Sequence, residues 1–171
     1  MEEKTIKYFR CKRVGTETYY ENDAFITKCY YDDKANNVKE MVTVNGTSKK
    51  IKHFTASGVL SKTENFFKGI RHGIETRYII PKADDSVKST KTYEDGKLHG
   101  ECMTYDQTGR IIKQEVFVLG KLVLKYLRKK DLANDIEGIE IVDKESLKHL
   151  PETAYDKLQT CMAENPKWFK K

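Results

Sequence analysis

The sequence predicts a mainly β protein. Residues 1–128 read as an elongated antiparallel meander of repeated β-hairpins, and residues 129–171 as a small α-helical C-terminal cap. Three observations predict it. A spaced frame of aromatic, glycine and histidine residues occurs twice without a gap. Turn pairs such as Asp95-Gly96 separate stretches rich in Thr, Tyr, Val, Ile and Phe, which favour a pleated, half-buried surface. After Arg128-Lys129-Lys130 that pattern stops, and apolar residues recur at helical spacing instead.

The frame is an aromatic, two residues, Gly, two residues, His-Gly, four residues and Tyr. One copy is Phe66, Gly69, His72, Gly73 and Tyr78; the other is Tyr93, Gly96, His99, Gly100 and Tyr105. Weaker copies flank them. Phe117-Val118-Leu119-Gly120 repeats the opening, Asn45-Gly46 takes the same place upstream with Phe54 after it, and Gly15 and Tyr20 repeat the Gly-to-Tyr spacing. The first glycines fall at 46, 69, 96 and 120, and Pro81-Lys82-Ala83-Asp84-Asp85-Ser86 reads as a loop inserted in the longest step.

Asn45-Gly46 and Asp95-Gly96 tolerate positive φ and reverse the chain between strands. A looser second turn follows at Gln107-Thr108-Gly109, with Ser57-Gly58 in the equivalent place. Each unit is thus strand, tight turn, strand, looser turn. Gly73 and Gly100 fall within strands, where glycine marks a bulge or a close backbone approach. A single hairpin is marginal in water, so the units must associate to be stable.

Tyr93-x-x-Gly96-Lys97-x-His99-Gly100-x-x-x-x-Tyr105-x-x-x-Gly109 resembles the MORN-repeat variant of bacterial YwqK-like proteins, which also occurs in proteins of large DNA viruses and protists. Phe66-x-x-Gly69-x-x-His72-Gly73-x-x-x-x-Tyr78 is similar to a second copy. The resemblance covers residues 38–127, and more loosely 8–37. It implies a twisted single-layer antiparallel sheet serving as a protein-interaction or structural scaffold. It also brings the antitoxin-component label often given to YwqK-like proteins, and so a neutraliser of a partner protein. The chain departs from the pattern at Gly46, where Thr47-Ser48-Lys49-Lys50 replaces the His-Gly step, and again after Gly120.

In the C-terminal part, Asp131 is placed to cap a short helix over Leu132–Ile136 that Gly138 ends. Ile139–Val142 reads as one strand. Asp143 caps Lys144–Leu150, and Pro151 opens a helix whose apolar face carries Ala154, Leu158, Cys161 and Met162. The predicted purpose is to cover the strand Leu122–Leu127, whose apolar residues occur on both faces.

Composition narrows the function classes. Mean hydropathy is −0.71, and no run approaches the roughly 20 apolar residues of a membrane helix. The charged N-terminus lacks the apolar stretch of a secretory signal, so the chain reads as intracellular, or as part of a viral or cellular assembly. Cys11, Cys29, Cys102 and Cys161 are scattered and read as free thiols. No spacing suggests a metal, a cofactor or a catalytic constellation, so the expectation is a non-enzyme.

His72 and His99 read as packing positions set by the repeat, and the acidic pairs Asp32-Asp33 and Asp84-Asp85 as solvated loop charge. The +6 net charge sits in residues 1–127, where 23 basic residues face 17 acidic ones; residues 128–171 hold 9 of each. Lys7, Arg10, Lys12 and Arg13, interleaved with Tyr8 and Phe9, form a candidate basic surface for nucleic acid or anionic lipid. An edge strand protected by charge explains them equally well. The favoured expectation is a protein partner, bound on a wide sheet face lined by repeated Tyr, Phe and Lys.

Overall fold

The computed structural model of the protein describes residues 6–8, 16–31, 37–79, 87–128 and 136–164. The chain forms two compact units, residues 1–86 and 87–171. In the first, β1 (Ile6–Tyr8), β2 (Thr16–Glu21), β3 (Ala24–Tyr30), β4 (Val38–Asn45), β5 (Ser48–Phe54) and β6 (Leu60–Phe67) pair antiparallel in chain order. The short β7 (Ile70–Arg71) and then β8 (Gly73–Tyr78) return along β6. In the second unit, β9 (Val87–Glu94), β10 (Lys97–Tyr105), β11 (Ile111–Val118), β12 (Lys121–Arg128) and β13 (Ile136–Ile141) pair in the same way. A 3₁₀ turn over Glu145–His149 and one helix, α1 (Glu152–Glu164), follow. The protein is mainly β, with its hairpins in meander order and its one α-helix at the C-terminal end of the described residues.

Tight two-residue loops recur at Asn22-Asp23, Gly46-Thr47, Lys68-Gly69, Asp95-Gly96 and Leu119-Gly120. In all but the second, both loop residues have positive φ. That is the primed turn whose twist matches the flanking strands. Gly46 departs from the sequence reading. It occupies the first loop position (φ 56), with Thr47 as the second, so Asn45-Gly46 is not itself the loop. The looser turns are alike to the atom. Thr55 N donates to Val59 O and Gly58 N to Thr55 O; Asp106 N donates to Arg110 O and Gly109 N to Asp106 O. Asp106 Oδ1 further accepts from Thr108 N, Thr108 Oγ1 and Arg110 N, bonds that hold its carboxyl below the usual range.

The His-Gly step has a structural meaning. Between Leu98 and Cys102 the register of β10 on β9 shifts by two residues, and Gly100 sits in that bulge at φ +94. The same two-residue shift separates the pairs Phe66↔Arg71 and Lys62↔Arg77 around Gly73, at φ +82. Asn65 Nδ2 donates to Ile74 O at 2.6 Å, and Thr92 Oγ1 donates to Glu101 O at 2.9 Å. One polar side chain therefore satisfies the carbonyl that each bulge frees. The β4–β5 hairpin, which lacks His-Gly, pairs without a shift, and the β11–β12 hairpin shifts by one residue only.

The buried core lies in the second unit. Val116, Val118, Val123, Leu124, Tyr126 and Ile139 pack with Ala154 and Leu158 of α1, and Ile136, Ile141, Leu147, Leu150 and Cys161 flank them. Helix α1 thus lies on one face of β11–β13, including the strand it was predicted to cover. Asp143 organises the approach to the helix by accepting from Ser146 Oγ, Ser146 N and Glu145 N. The helix expected over Leu132–Ile136 meets a correction at its end: Ile136 begins β13, because Ile136, Ile139 and Ile141 are β-branched and pair along β12, while residues 131–135 lie outside the described set.

Candidate interaction surface

Directly paired residues in an antiparallel sheet point to the same side, so the register sorts the first unit into two faces. One carries the row Cys29, Glu40, His53, Lys62 and Arg77. Next to it run Thr27, Val42, Ile51 and Glu64, and then Tyr20, Phe25, Val44, Lys49, Phe66 and Arg71 at the tight-turn end. The opposite face carries Glu17, Lys28, Met41, Lys52 and Thr63, then Tyr19, Ile26, Thr43, Lys50 and Asn65, then Glu21, Ala24, Asn45, Ser48, Phe67 and Ile70.

The first of these is an ionic face. Glu64 and Glu75 are buried, at 6% and 4% exposure. Glu64 meets His53 Nε2 at 2.8 Å, Lys62 Nζ at 2.9 Å and Arg71 Nη2 at 2.6 Å. Glu75 meets Arg77 Nε at 3.0 Å, Lys62 Nζ at 3.6 Å and Arg71 Nη1 at 3.7 Å. Glu40 lies 3.4 Å from His53 Nδ1. Three carboxylates thus face three fixed cations and one imidazole. Among the described residues, the side-chain groups meeting the His53 ring are carboxylates, with no hydroxyl or thiol to act as a nucleophile. Nor does any group of three His, Cys, Asp or Glu there form a metal-holding set. The ion pairs tie β4, β5, β6 and β8 side by side. Sequence reading missed them, since His53 has no partner nearby in the chain; the row appears only once the strand register is known.

Burial alone would raise the Glu64 pKa. Hydrogen bonds from Lys62 and His53, with the charges of Lys62 and Arg71, outweigh that and hold it below its ordinary 4.5. A depressed carboxylate stabilises the fold above its unfolded value, and the contribution is lost as pH falls through the folded value. Glu64→Gln is therefore expected to cost about 1–3 kcal/mol near neutral pH. The gap from the parent should narrow as pH drops below 4.5. Urea unfolding of both proteins across that range checks this; a gap independent of pH would show that Glu64 is not acting through its charge.

The opposite face is open and basic. Lys50 is exposed and Lys28 and Lys52 half-buried, and Lys28 Nζ stands 5.0 Å above the Tyr19 ring. At the turn, Lys68 lies 5.4 Å from the Phe67 ring. Among the described residues none of these four lysines has an ion-pair partner. The acids on this side are Glu17, which accepts from Tyr30 Oη at 2.7 Å, and Glu21. Near the tight turns a shallow cavity of about 260 Å³ is lined in part by Thr43, Asn45, Lys50, Asn65, Phe67 and His72. Phe67, Ile70 and Ile74 are 42%, 51% and 51% exposed around it. On the ionic face, Tyr20 and Phe25 are 49% and 60% exposed, with ring centroids 5.0 Å apart.

The two repeat histidines play different parts. His72 is exposed, its ring 5.9 Å from that of Phe67. His99 Nε2 lies 3.2 Å from Glu94, and His99 Nδ1 accepts from Leu119 N at 3.4 Å. Phe66 lies under Lys49, 5.3 Å away. Tyr78, Tyr93 and Tyr105 are half-buried. Gly69, Gly96, Gly109 and Gly120 hold positive-φ turn positions. Of the candidate basic surface, Lys7 lies in β1. Arg10, Lys12 and Arg13 are outside the described residues, as are Cys11 and both acidic pairs. Cys29, Cys102 and Cys161 are free thiols. Among the described residues no helix is long and apolar enough to cross a membrane.

No protein-family model matches the chain, and no curated protein does. Among solved structures it is similar to TarM from S. aureus, as a point mutant in complex with fondaparinux, alpha-GlcNAc-glycerol and UDP, with TM-score 0.44 at 15% identity. A second TarM structure matches with TM-score 0.43 at 16% identity. Each match covers 63% of this chain but 21% and 20% of the TarM chains, so this chain spans about a fifth of their length.

Proposed function

We propose that this chain is a non-enzymatic interaction module built from MORN-like hairpin repeats, and that its first unit receives a protein partner. The observation that carries the reading is the gathering of large apolar side chains at the tight-turn end of that unit. Tyr20 and Phe25 stand exposed on one face, and Phe67, Ile70 and Ile74 on the other. Exposed clusters of large apolar side chains mark association surfaces. Beneath Phe67, Ile70 and Ile74 the strands are held from the other face by the ion pairs of Glu64 and Glu75, so that side is in place before any partner arrives. The test is site-specific photocrosslinking in the native source, with a photoreactive phenylalanine at position 25 or 67 and a control at Ile112, an exposed position of the second unit. A discrete protein adduct is expected from the first two positions and not from the third. Adducts equal at all three positions, or none, would overturn the reading.

A further inference from the structure

The second unit shows how this repeat binds a helix. Counting back from the second residue of each tight loop, the positions six, four and two residues earlier are Gln114, Val116 and Val118 in the last hairpin. They are 1%, 0% and 3% exposed beneath α1. The same positions are Thr63, Asn65 and Phe67 on β6, and Met41, Thr43 and Asn45 on β4. These lie on the open, basic face of the first unit and line its cavity in part. The surface that α1 covers in one unit therefore has a repeat equivalent in the other, with Phe67 left 42% exposed there.

Charge decides what kind of helix fits. Under α1 the sheet presents Glu101, and the helix answers with Lys157, whose Nζ lies 3.3 Å from Glu101 Oε1 and 5.1 Å above the Tyr126 ring. The equivalent face of the first unit has the opposite sign. Lys28, Lys50, Lys52 and Lys68 carry no ion pair among the described residues, against Glu17 and Glu21. Helix α1 has 13 residues, about 20 Å, enough to cross roughly four strands. The face from β2 to β8 offers at least that width.

We infer that the open face of the first unit is the docking site for an acidic amphipathic helix of a partner protein. Its apolar stripe would lie on Phe67, Ile70 and Ile74, and its Asp or Glu residues would meet Lys50, Lys52 and Lys28. The inference rests on the reading of the chain as an interaction module and specifies the partner's chemistry.

The test uses the full chain as bait for a displayed library of helix-biased peptides of about five turns, roughly 18 residues. Enriched sequences are expected to pair apolar residues at helical spacing with flanking Asp or Glu. Binding of a synthetic representative should weaken at least about tenfold with Phe67→Ser, and likewise with Lys50→Glu plus Lys52→Glu. Exchanging the peptide's acids for Lys should restore binding to the charge-reversed chain. The altered residues are exposed or half-buried, and equal melting temperatures would show that the variants fold. An empty selection, basic or extended sequences, or acidic helices indifferent to these substitutions would overturn the inference while leaving the crosslinking test of the module reading intact. A single-stranded oligonucleotide bound at about 0.15 M salt through the same lysines would overturn it in favour of nucleic acid.

Discussion

Leu158→Asp is expected to lower the stability of the second unit by about 3–5 kcal/mol. Leu158 is 3% exposed and packs in the cluster that holds Val116, Val118, Leu124 and Tyr126. The substitution removes a full apolar side chain and leaves a carboxylate over Val and Leu side chains. Lys157, the adjacent cation, is already engaged with Glu101. Hydrogen exchange localises the effect: amides of β11 and β12 should lose protection while those of β4 and β5 keep theirs. Removal of residues 144–171 exposes the same side chains and should bring association, visible by light scattering. Unchanged protection in β11 and β12 after Leu158→Asp would mean that the helix contributes little to the fold beneath it.

Gly100→Val is expected to cost about 2–4 kcal/mol. The backbone there is at φ +94, a region that a β-branched residue avoids, and the new Cβ would stand 3.6 Å from Thr92 Cβ and Cγ2 and 3.9 Å from Pro151 Cγ. The same Thr92 hydroxyl donates to Glu101 O, so yielding to the added methyls also loosens the bond that closes the bulge. Gly109→Asn is the contrast. Its φ is +80 and nothing lies within 4 Å, and Asn tolerates that conformation, so a cost below about 1 kcal/mol is expected. Urea midpoints decide between them; equal values for the two variants would show that the bulge is not a constrained site.

The hairpins were legible because turn chemistry is local. Asp95-Gly96 and Lys68-Gly69 need positive φ, and glycine announces that within two residues. The β2–β3 hairpin was harder to see, since Asn22 and Asp23 adopt φ 49 and 59 without a glycine. The length of the bulge was hidden for another reason: the frame shows that Gly73 and Gly100 are special, but the two-residue shift depends on which partner strand each residue meets. The same holds for the surfaces. Glu40, His53, Lys62 and Arg77 are scattered over 38 positions, counting Glu40 to Arg77, and only the register draws them into one row. The change from Asn65 to Val116 was a readable signal that the last repeat is covered by an apolar element. It required aligning the strands before the glycines as closely as the frame after them. The second half of β13 was legible in Ile139–Val142, but its start at Ile136 was read as helix because Gly138 imitates a helix stop, while Ile136 finds a ready edge on β12.

The bulge at the second glycine also sets a rule of parity. Side chains alternate along a strand, so an odd insertion turns every later residue to the other side, whereas an even one leaves all of them where they were. The extra length at Gly73 and Gly100 is two residues, and beyond it Thr76 and Met103 still face the partners that the alternation assigns them. The single-residue shift between Val116 and Phe117 breaks the alternation, and there the adjacent Val123 and Leu124 are both buried. Hairpins of this kind can therefore lengthen in twos without turning their surfaces inside out. The lone shifts at Cys29/Tyr30, His53/Phe54 and Thr104/Tyr105 fall on the last pair of their ladders, where no later pair is left to be turned over.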